Sequence, residues 1–235
     1  MTSETTIRFI TEVIESARCS GETTLSFQYC DITEIPEVIV NFTQLKSLDL
    51  KGNRLSKYSK EIGNLSQLES LDLSENELTG FPGSICNLTQ LKSLNLRGNQ
   101  LIKLPESIGN LTQLKSLNLR GNKLTKLPES IGNLTQLPEL ALSGQNLMEL
   151  PESIGNLNQL KSLNLRGNQL TKLPESIGKL TQLKFINLRG NQLIKLAWHV
   201  ILYTAREFIS SISLERWAAV FKSPGTDRSS STKGQ

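Results

Sequence analysis

The sequence predicts an α/β solenoid, with a parallel β-sheet along one side and short helical returns along the other. Three observations support this prediction. The chain of 235 residues repeats itself every 23 residues. Each unit contains an alternating stretch such as SLNLR, which is typical of a strand with one buried face. Each unit then returns through a segment such as LPESIGNLTQL, which is too short for a long helix.

The repeat units, numbered here as copies one to eight, are nearly identical in places. Copies four and five differ only at Gln100/Lys123 and Ile102/Thr125. Each unit exposes leucines above and below that only a neighbouring unit can cover, so stability comes from stacking and the ends need caps. The copies begin at Glu22, Leu45, Leu68, Leu91, Leu114, Leu137, Leu160 and Leu183.

A conserved spacing places one asparagine after most strands. A buried amide without partners costs roughly 1–3 kcal/mol, so we expect these side chains to bond the backbone of adjacent turns as a ladder. Cys30 and Gln145 occupy the same position in copies one and six, and a glycine such as Gly132 lies where the return changes direction. The ladder residues are Asn53, Asn76, Asn99, Asn122, Asn168 and Asn191.

The pattern L-x-x-L-x-L-x-x-N-x-L, held from Leu45 to Leu193, resembles the consensus of leucine-rich repeat proteins. The 23-residue form with LPESIGNLTQL is similar to cytoplasmic arrays of the Ras-group and Roco type. This resemblance implies a right-handed superhelix in a horseshoe arc, with a parallel concave β-sheet and short helical or 3-10 returns on the convex side. It also implies protein binding on the curved surface, without naming the partner.

The two ends of the chain depart from the repeat. Ile7, Ile10, Ile14 and Ala17 recur at helical spacing, which predicts a capping helix. After Gly190 the frame breaks, and the following segment is either a helical cap or a truncated array running into unrelated codons. The predicted parts are an N-terminal cap at 1–21, eight repeats at 22–196, a C-terminal cap at 197–221 and a disordered tail at 222–235.

Composition and motifs favour a cytoplasmic protein without catalytic machinery. The three cysteines Cys19, Cys30 and Cys86 lack the spacing of a disulfide framework or a zinc site, which favours a reducing compartment. No secretory signal or apolar run of about 18 residues is present. The single histidine, His199, belongs to no catalytic motif, and IGKLT is not a phosphate loop. We therefore expect no enzyme, no cofactor and no metal.

The exposed strand positions form columns that predict a basic concave face. Parallel strands lie roughly 4.8 Å apart, less than the Debye length of about 8–10 Å, so neighbouring charges add. Arginine offers bidentate contacts to carboxylates, which predicts docking of an acidic protein surface. The alternative is that duplication copied the surface without selection for binding. The predicted site comprises Lys51, Arg97, Arg120, Arg166, Arg189, Lys92, Lys115, Lys161, Lys184, Asn95, Asn118, Asn164 and Asn187.

The predicted partner is a protein, and by resemblance a small GTPase or a signalling enzyme. Nucleic acid is disfavoured because the face carries only Tyr29 and Phe185 as aromatics for base stacking. We expect a monomer with no membrane contact. A second hypothesis is a fragment of a larger Roco-like or effector signalling protein whose catalytic domain is absent here, and a third is a duplicate without a dedicated ligand.

Copy six, LPELALSGQNLMELP, interrupts the basic face. Pro138 replaces lysine, Glu139 replaces serine, Ala141 replaces asparagine and Ser143 replaces arginine. Two interpretations are open at this stage. The copy is either a distinct subsite between its neighbours or the result of neutral drift.

Overall fold

The copies build one eight-stranded parallel sheet whose strand order follows the sequence. In a computed structural model, which describes residues 3–56 and 60–193, each copy supplies a strand of three residues. Strands pair in register, so equivalent repeat positions lie side by side, as Leu71 does with Leu94. The strands are β1 (Thr24–Ser26), β2 (Ser47–Asp49), β3 (Ser70–Asp72), β4 (Ser93–Asn95), β5 (Ser116–Asn118), β6 (Glu139–Ala141), β7 (Ser162–Asn164) and β8 (Phe185–Asn187).

Short 3-10 helices form the returns on the opposite side of the sheet. Most follow a proline in extended conformation, such as Pro105 at φ −76° and ψ 157°, because the pyrrolidine ring fixes φ and lacks an N–H. Each extends over five residues, in agreement with the prediction that the return segment is too short for a long helix. Their bounds are Glu37–Asn41, Lys60–Asn64, Gly83–Asn87, Glu106–Asn110, Glu129–Asn133, Glu152–Asn156 and Glu175–Lys179.

The return glycines are required by packing rather than by a turn. A Cβ atom on Gly132 would lie 2.4 Å from the carbonyl oxygen of Ser153 in the next copy, so only glycine lets the two returns approach. Glycines with a positive φ angle occur instead just after several of the strands, such as Gly121 at φ 66°. Gly132 lies within the return, and close packing against the next copy explains why this position is glycine.

A continuous aliphatic core runs through the array between sheet and returns. The central leucine of each strand from β1 to β7 and the isoleucine of each return are buried, for example Leu94 and Ile108. At the last described copy the equivalent residues Leu183, Ile186 and Leu188 are only half-buried. Among the described residues, the burial of the core therefore decreases at the last copy.

One α-helix, α1 (Ser3–Ser20), lies against the first copy. It buries Ile10, Ile14 and Ala17. The side-chain amide of Gln44 donates to the backbone carbonyl of Arg18 at 3.3 Å and joins the helix to the first return. No helix among residues 3–56 and 60–193 has the length and apolar character needed to cross a bilayer. The predicted cap at 197–221, the tail at 222–235 and His199 lie outside the described residues.

Candidate functional site

The asparagine ladder fixes the turn that follows each strand. The amide of Asn122 donates to the carbonyls of Leu96 at 2.9 Å and Leu119 at 2.8 Å, and its oxygen accepts from the N–H of Leu101 at 3.1 Å. Asn122 thus bonds two successive copies and is almost fully buried. The same arrangement occurs at Asn53, Asn76, Asn99 and Asn168. Asn191 makes the equivalent three bonds but is only partly buried.

A second row of asparagines holds the backbone of the arginines. The side-chain oxygen of Asn118 accepts from the N–H of Arg120 at 3.1 Å, which is the geometry of an Asx turn. These asparagines were predicted to contact a partner, and the structure shows that they also orient the residue two positions on. Asn95, Asn164 and Asn187 make the same bond to Arg97, Arg166 and Arg189.

Seven cations project from copies four, five, seven and eight without an ion pair among the described residues. All seven side chains are exposed. Because β4 to β8 are adjacent in the sheet, these charges form one surface, which we call the basic row. The basic row consists of Arg97, Lys115, Arg120, Lys161, Arg166, Lys184 and Arg189.

Two of the predicted site lysines are instead compensated within the chain. Lys92 pairs with Glu69 at 2.6 Å, and this contact lowers the pKa of the Glu69 carboxyl. Lys51 lies 3.8 Å from a carboxylate oxygen of Glu75 and 5.6 Å from the centre of the Tyr29 ring. Tyr29 and the Glu75 charge raise the pKa of the Lys51 ammonium. Sequence alone shows the cations but not these partners.

The acidic residues of copies two and three are similarly engaged. Asp49 accepts from the side chain of Gln28 at 2.6 Å. Asp72 accepts from the Ser74 hydroxyl at 2.6 Å and from the Asn95 amide at 2.8 Å. The first half of the face is therefore largely an internally bonded polar network. Of its two lysines, Lys51 is paired, whereas Lys46 is exposed and has no ion pair among the described residues.

Copy six weakens the sheet as well as interrupting the basic row. Between β4 and β5, the N–H groups of Lys115 and Ser116 both donate to the carbonyl of Lys92, at 2.8 and 3.0 Å. Proline has no N–H, so Pro138 cannot repeat the first bond, and the structure shows neither bond from copy six to copy five. The pairing of β5 with β6 includes only two residue pairs, Leu117↔Leu140 and Asn118↔Ala141.

Two polar side chains of copy six lose bonds that other copies make. Gln145 takes the ladder position and bonds the Leu119 carbonyl and the Leu124 N–H, but it makes no bond to the carbonyl three residues before it. The Ser143 hydroxyl is buried and has no partner in the described chain. The equivalent hydroxyl of copy three bonds an aspartate, and Ala141 offers no such acceptor.

The described residues contain no group of histidine, cysteine or carboxylate side chains that could hold a metal ion. All three cysteines are free thiols. Cys86 is buried in the position where other copies have glycine, and burial raises the pKa of its thiol although a hydrogen bond with Ser107 opposes the shift. A buried thiol with a raised pKa is a poor nucleophile.

The fold and the face define a class of protein, a repeat solenoid that presents a row of charged side chains on its sheet. Comparison with protein families identifies the repeats. A leucine-rich repeat region model matches residues 83–142, and a leucine-rich repeat model matches residues 43–101 and 150–193. Together the matches include more than half of the chain. The protein belongs to the leucine-rich repeat family.

Solved leucine-rich repeat structures are similar over most of the described array. The LRR protein LIC12759 of Leptospira interrogans is 29% identical, with a TM-score of 0.62 over 81% of this chain and 60% of that chain. The plant peptide hormone receptor RGFR1, in complex with RGF2, is 40% identical over 63% of this chain and 25% of that chain, with a TM-score of 0.59.

A third similar structure is the ectodomain of GASSHO1/SCHENGEN3 from Arabidopsis thaliana in complex with CASPARIAN STRIP INTEGRITY FACTOR 2. It is 33% identical over 69% of this chain and 23% of that chain, with a TM-score of 0.59. The chain thus spans less than two thirds of the length of each of these structures. No curated protein matches the chain. Because 486 solved chains match, the fold by itself does not specify a ligand.

Proposed function

We propose that this protein is a non-catalytic interaction module that docks an acidic protein surface on its basic row. The observation that carries the proposal is that some cations of the face are paired with carboxylates and others are not. Lys51 and Lys92 are compensated by neighbouring carboxylates, whereas the seven cations of the basic row have no ion pair among the described residues.

The geometry of the arginines favours recognition of carboxylates. Their strands lie roughly 4.8 Å apart, so a partner carboxylate interacts with more than one guanidinium within a Debye length. Asn118 and its equivalents fix the backbone of the arginines, which reduces the entropy lost when a ligand binds. Each exposed pair contributes little by itself, so affinity requires several acidic groups on one partner.

The similar plant receptors support a protein or peptide as the partner class, because two of them are described in complex with RGF2 and with CASPARIAN STRIP INTEGRITY FACTOR 2. An acidic surface on a small GTPase or a signalling enzyme would suit the basic row. We choose these two partner classes because the 23-residue repeat resembles arrays of the Ras-group and Roco type. The cytoplasm stays the proposed compartment and suits the three free thiols. We expect the module to act as a monomer.

The proposal is tested by recovering partners from a lysate with three forms of the protein. The first is the wild type, and the second carries Arg97→Glu, Arg120→Glu, Arg166→Glu and Arg189→Glu. The third is a matched control, in which four exposed lysines outside the strands are replaced. The net charge then changes by the same amount as in the arginine variant. The substitutions of the control are Lys103→Glu, Lys123→Glu, Lys126→Glu and Lys172→Glu.

The expected result is an acidic partner that the wild type and the control recover and the arginine variant loses. Identical recoveries with all three forms would contradict docking on the basic row. Loss of the partner with both variants would show that net charge matters and the position of the charge does not, which also contradicts the proposal.

A further inference from the structure

One carboxylate, Glu139, lies within the basic half of the face and differs from the acids of copies two and three. Asp49, Glu69, Asp72 and Glu75 all bond side chains of this protein. Glu139 is exposed on β6 and has no hydrogen bond or ion pair from its carboxylate among the described residues. Glu139 is thus an unpaired negative charge on β6. It lies between copies four and five on one side and copies seven and eight on the other, which carry the cations of the basic row.

Small side chains surround this carboxylate along its own strand. In copy six Ala141 and Ser143 take the places that asparagine and arginine occupy in copies five and seven. The shorter side chains at these two positions leave a strip of copy six, which we call the trough, between Arg120 of copy five and Arg166 of copy seven, and Glu139 lies on the same strand. Alternate residues of a strand are about 6.6 Å apart, a distance that the stem of a lysine side chain can bridge.

We propose that the partner of this face is an extended, acidic peptide segment with one basic residue between two acidic blocks. The acidic blocks lie on copies four and five and on copies seven and eight. The basic side chain enters the trough, where its stem lies across Ala141 and its charge meets Glu139. This inference rests on the proposed function and adds to it the order of charges along the partner.

The spacing of the copies sets the length of the segment. Copies four to eight include four strand separations of roughly 4.8 Å, or about 19 Å, and an extended chain advances about 3.4 Å per residue. About seven residues therefore extend along the basic row. The basic residue falls near the middle of the segment, because copy six is the central copy of the five.

Two synthetic peptides of about seven residues and identical composition test the order of charges. One has glutamates on both sides of a single central lysine, and the other has the same lysine at one end. Binding is measured by fluorescence anisotropy at low salt with the wild type and with Glu139→Gln and Glu139→Lys. Circular dichroism checks that both variants keep the fold, which is expected because Glu139 is exposed.

The wild type should bind the central-lysine peptide about threefold more tightly than the end-lysine peptide, as expected of an exposed ion pair. Glu139→Gln should remove this preference and Glu139→Lys should reverse it. Equal affinities in the wild type, or a preference that persists in Glu139→Lys, would overturn the inference while leaving the proposed function intact. If the wild type binds neither peptide, both the inference and the proposed function are contradicted.

Discussion

Asparagine has two separate roles in copies four, five, seven and eight, and only one follows directly from the sequence. The ladder at Asn122 and its equivalents is predictable, because a buried amide at a fixed repeat position needs partners in the adjacent copies. The second role, at Asn118, is to accept the N–H of Arg120. The pattern of the sequence shows that this asparagine faces outward, but it does not show which backbone group it bonds.

Removing one rung of the ladder should destabilise the array. In Asn122→Ala three hydrogen bonds are lost and the carbonyls and N–H that they satisfied become unpaired, so we expect the free energy of unfolding to fall by roughly 1–3 kcal/mol. Urea denaturation measures the change. Asn133→Ala, at an exposed position of the same copy, is the control. Equal losses in the two variants would show that the ladder bonds do not contribute.

The ladder residue of copy six offers the opposite change. Gln145→Asn shortens the side chain to the length found in the other copies and should restore the missing bond to the Leu142 carbonyl. We expect a gain of about 1 kcal/mol in the free energy of unfolding, the usual net contribution of one hydrogen bond. The reverse substitution Asn168→Gln should cause a loss of similar size. A loss of stability in Gln145→Asn would show that the longer amide suits this copy.

The junction between β5 and β6 has the fewest paired residues in the described sheet, and the cause can be recognised in the sequence only after the structure is known. Pro138 is an unremarkable substitution in the repeat alignment. The structure shows that its position donates a hydrogen bond to the preceding copy in β4–β5 and in the pairs around it. The loss of pairing therefore follows from the missing N–H rather than from the altered charge.

Pro138→Lys should repair this junction. The new N–H can donate to the Lys115 carbonyl, as the N–H of Lys161 does to the carbonyl of Pro138 at 2.8 Å. We expect slower amide hydrogen exchange at Glu139 and a gain of about 1 kcal/mol in stability. The matched substitution Lys115→Pro should create the same defect between β4 and β5. If exchange at Glu139 stays as fast in Pro138→Lys, the proline is not what weakens the pairing.

The returns are joined by glutamates, and the bond that Glu106 makes should depend on pH. The Glu106 carboxylate accepts from the N–H of Ser130 at 3.0 Å, and Glu129 and Glu152 make the equivalent bonds at 3.2 and 3.3 Å. The bond with the Ser130 backbone holds the pKa of Glu106 below the usual glutamate range. A group whose pKa is lowered by folding stabilises the fold above its unfolded pKa, about 4.3 for glutamate, and loses that effect as the pH falls.

The stability difference between the wild type and Glu106→Ala should follow this titration. It should be constant above the ordinary glutamate range and should shrink as the pH falls through the lowered pKa of Glu106. Thermal unfolding at a series of pH values measures the difference, with Glu149→Ala, an exposed glutamate, as the control. A difference between wild type and Glu106→Ala that does not change with pH would show that the carboxylate bond is not responsible.

For the whole molecule, the period of the sequence is sufficient to predict the architecture. Register, strand order and the buried leucines all follow from a unit of fixed length that repeats eight times. The proposed docking face is harder to predict, because its charges interact across copies. Lys92 looks equivalent to Lys115 in the sequence, but Glu69 in the preceding copy pairs with Lys92, whereas Lys115 has no ion pair in the described chain.

The central claim is that the uncompensated cations of copies four to eight form the docking face. Its most direct test is the affinity of a fluorescent glutamate peptide for the wild type, the four-arginine variant and the four-lysine control, at low and high salt. The wild type and the control should bind with affinities that fall as salt increases, and the variant with Arg97, Arg120, Arg166 and Arg189 changed to Glu should not bind. Equal binding by the arginine variant and the lysine control would contradict the claim.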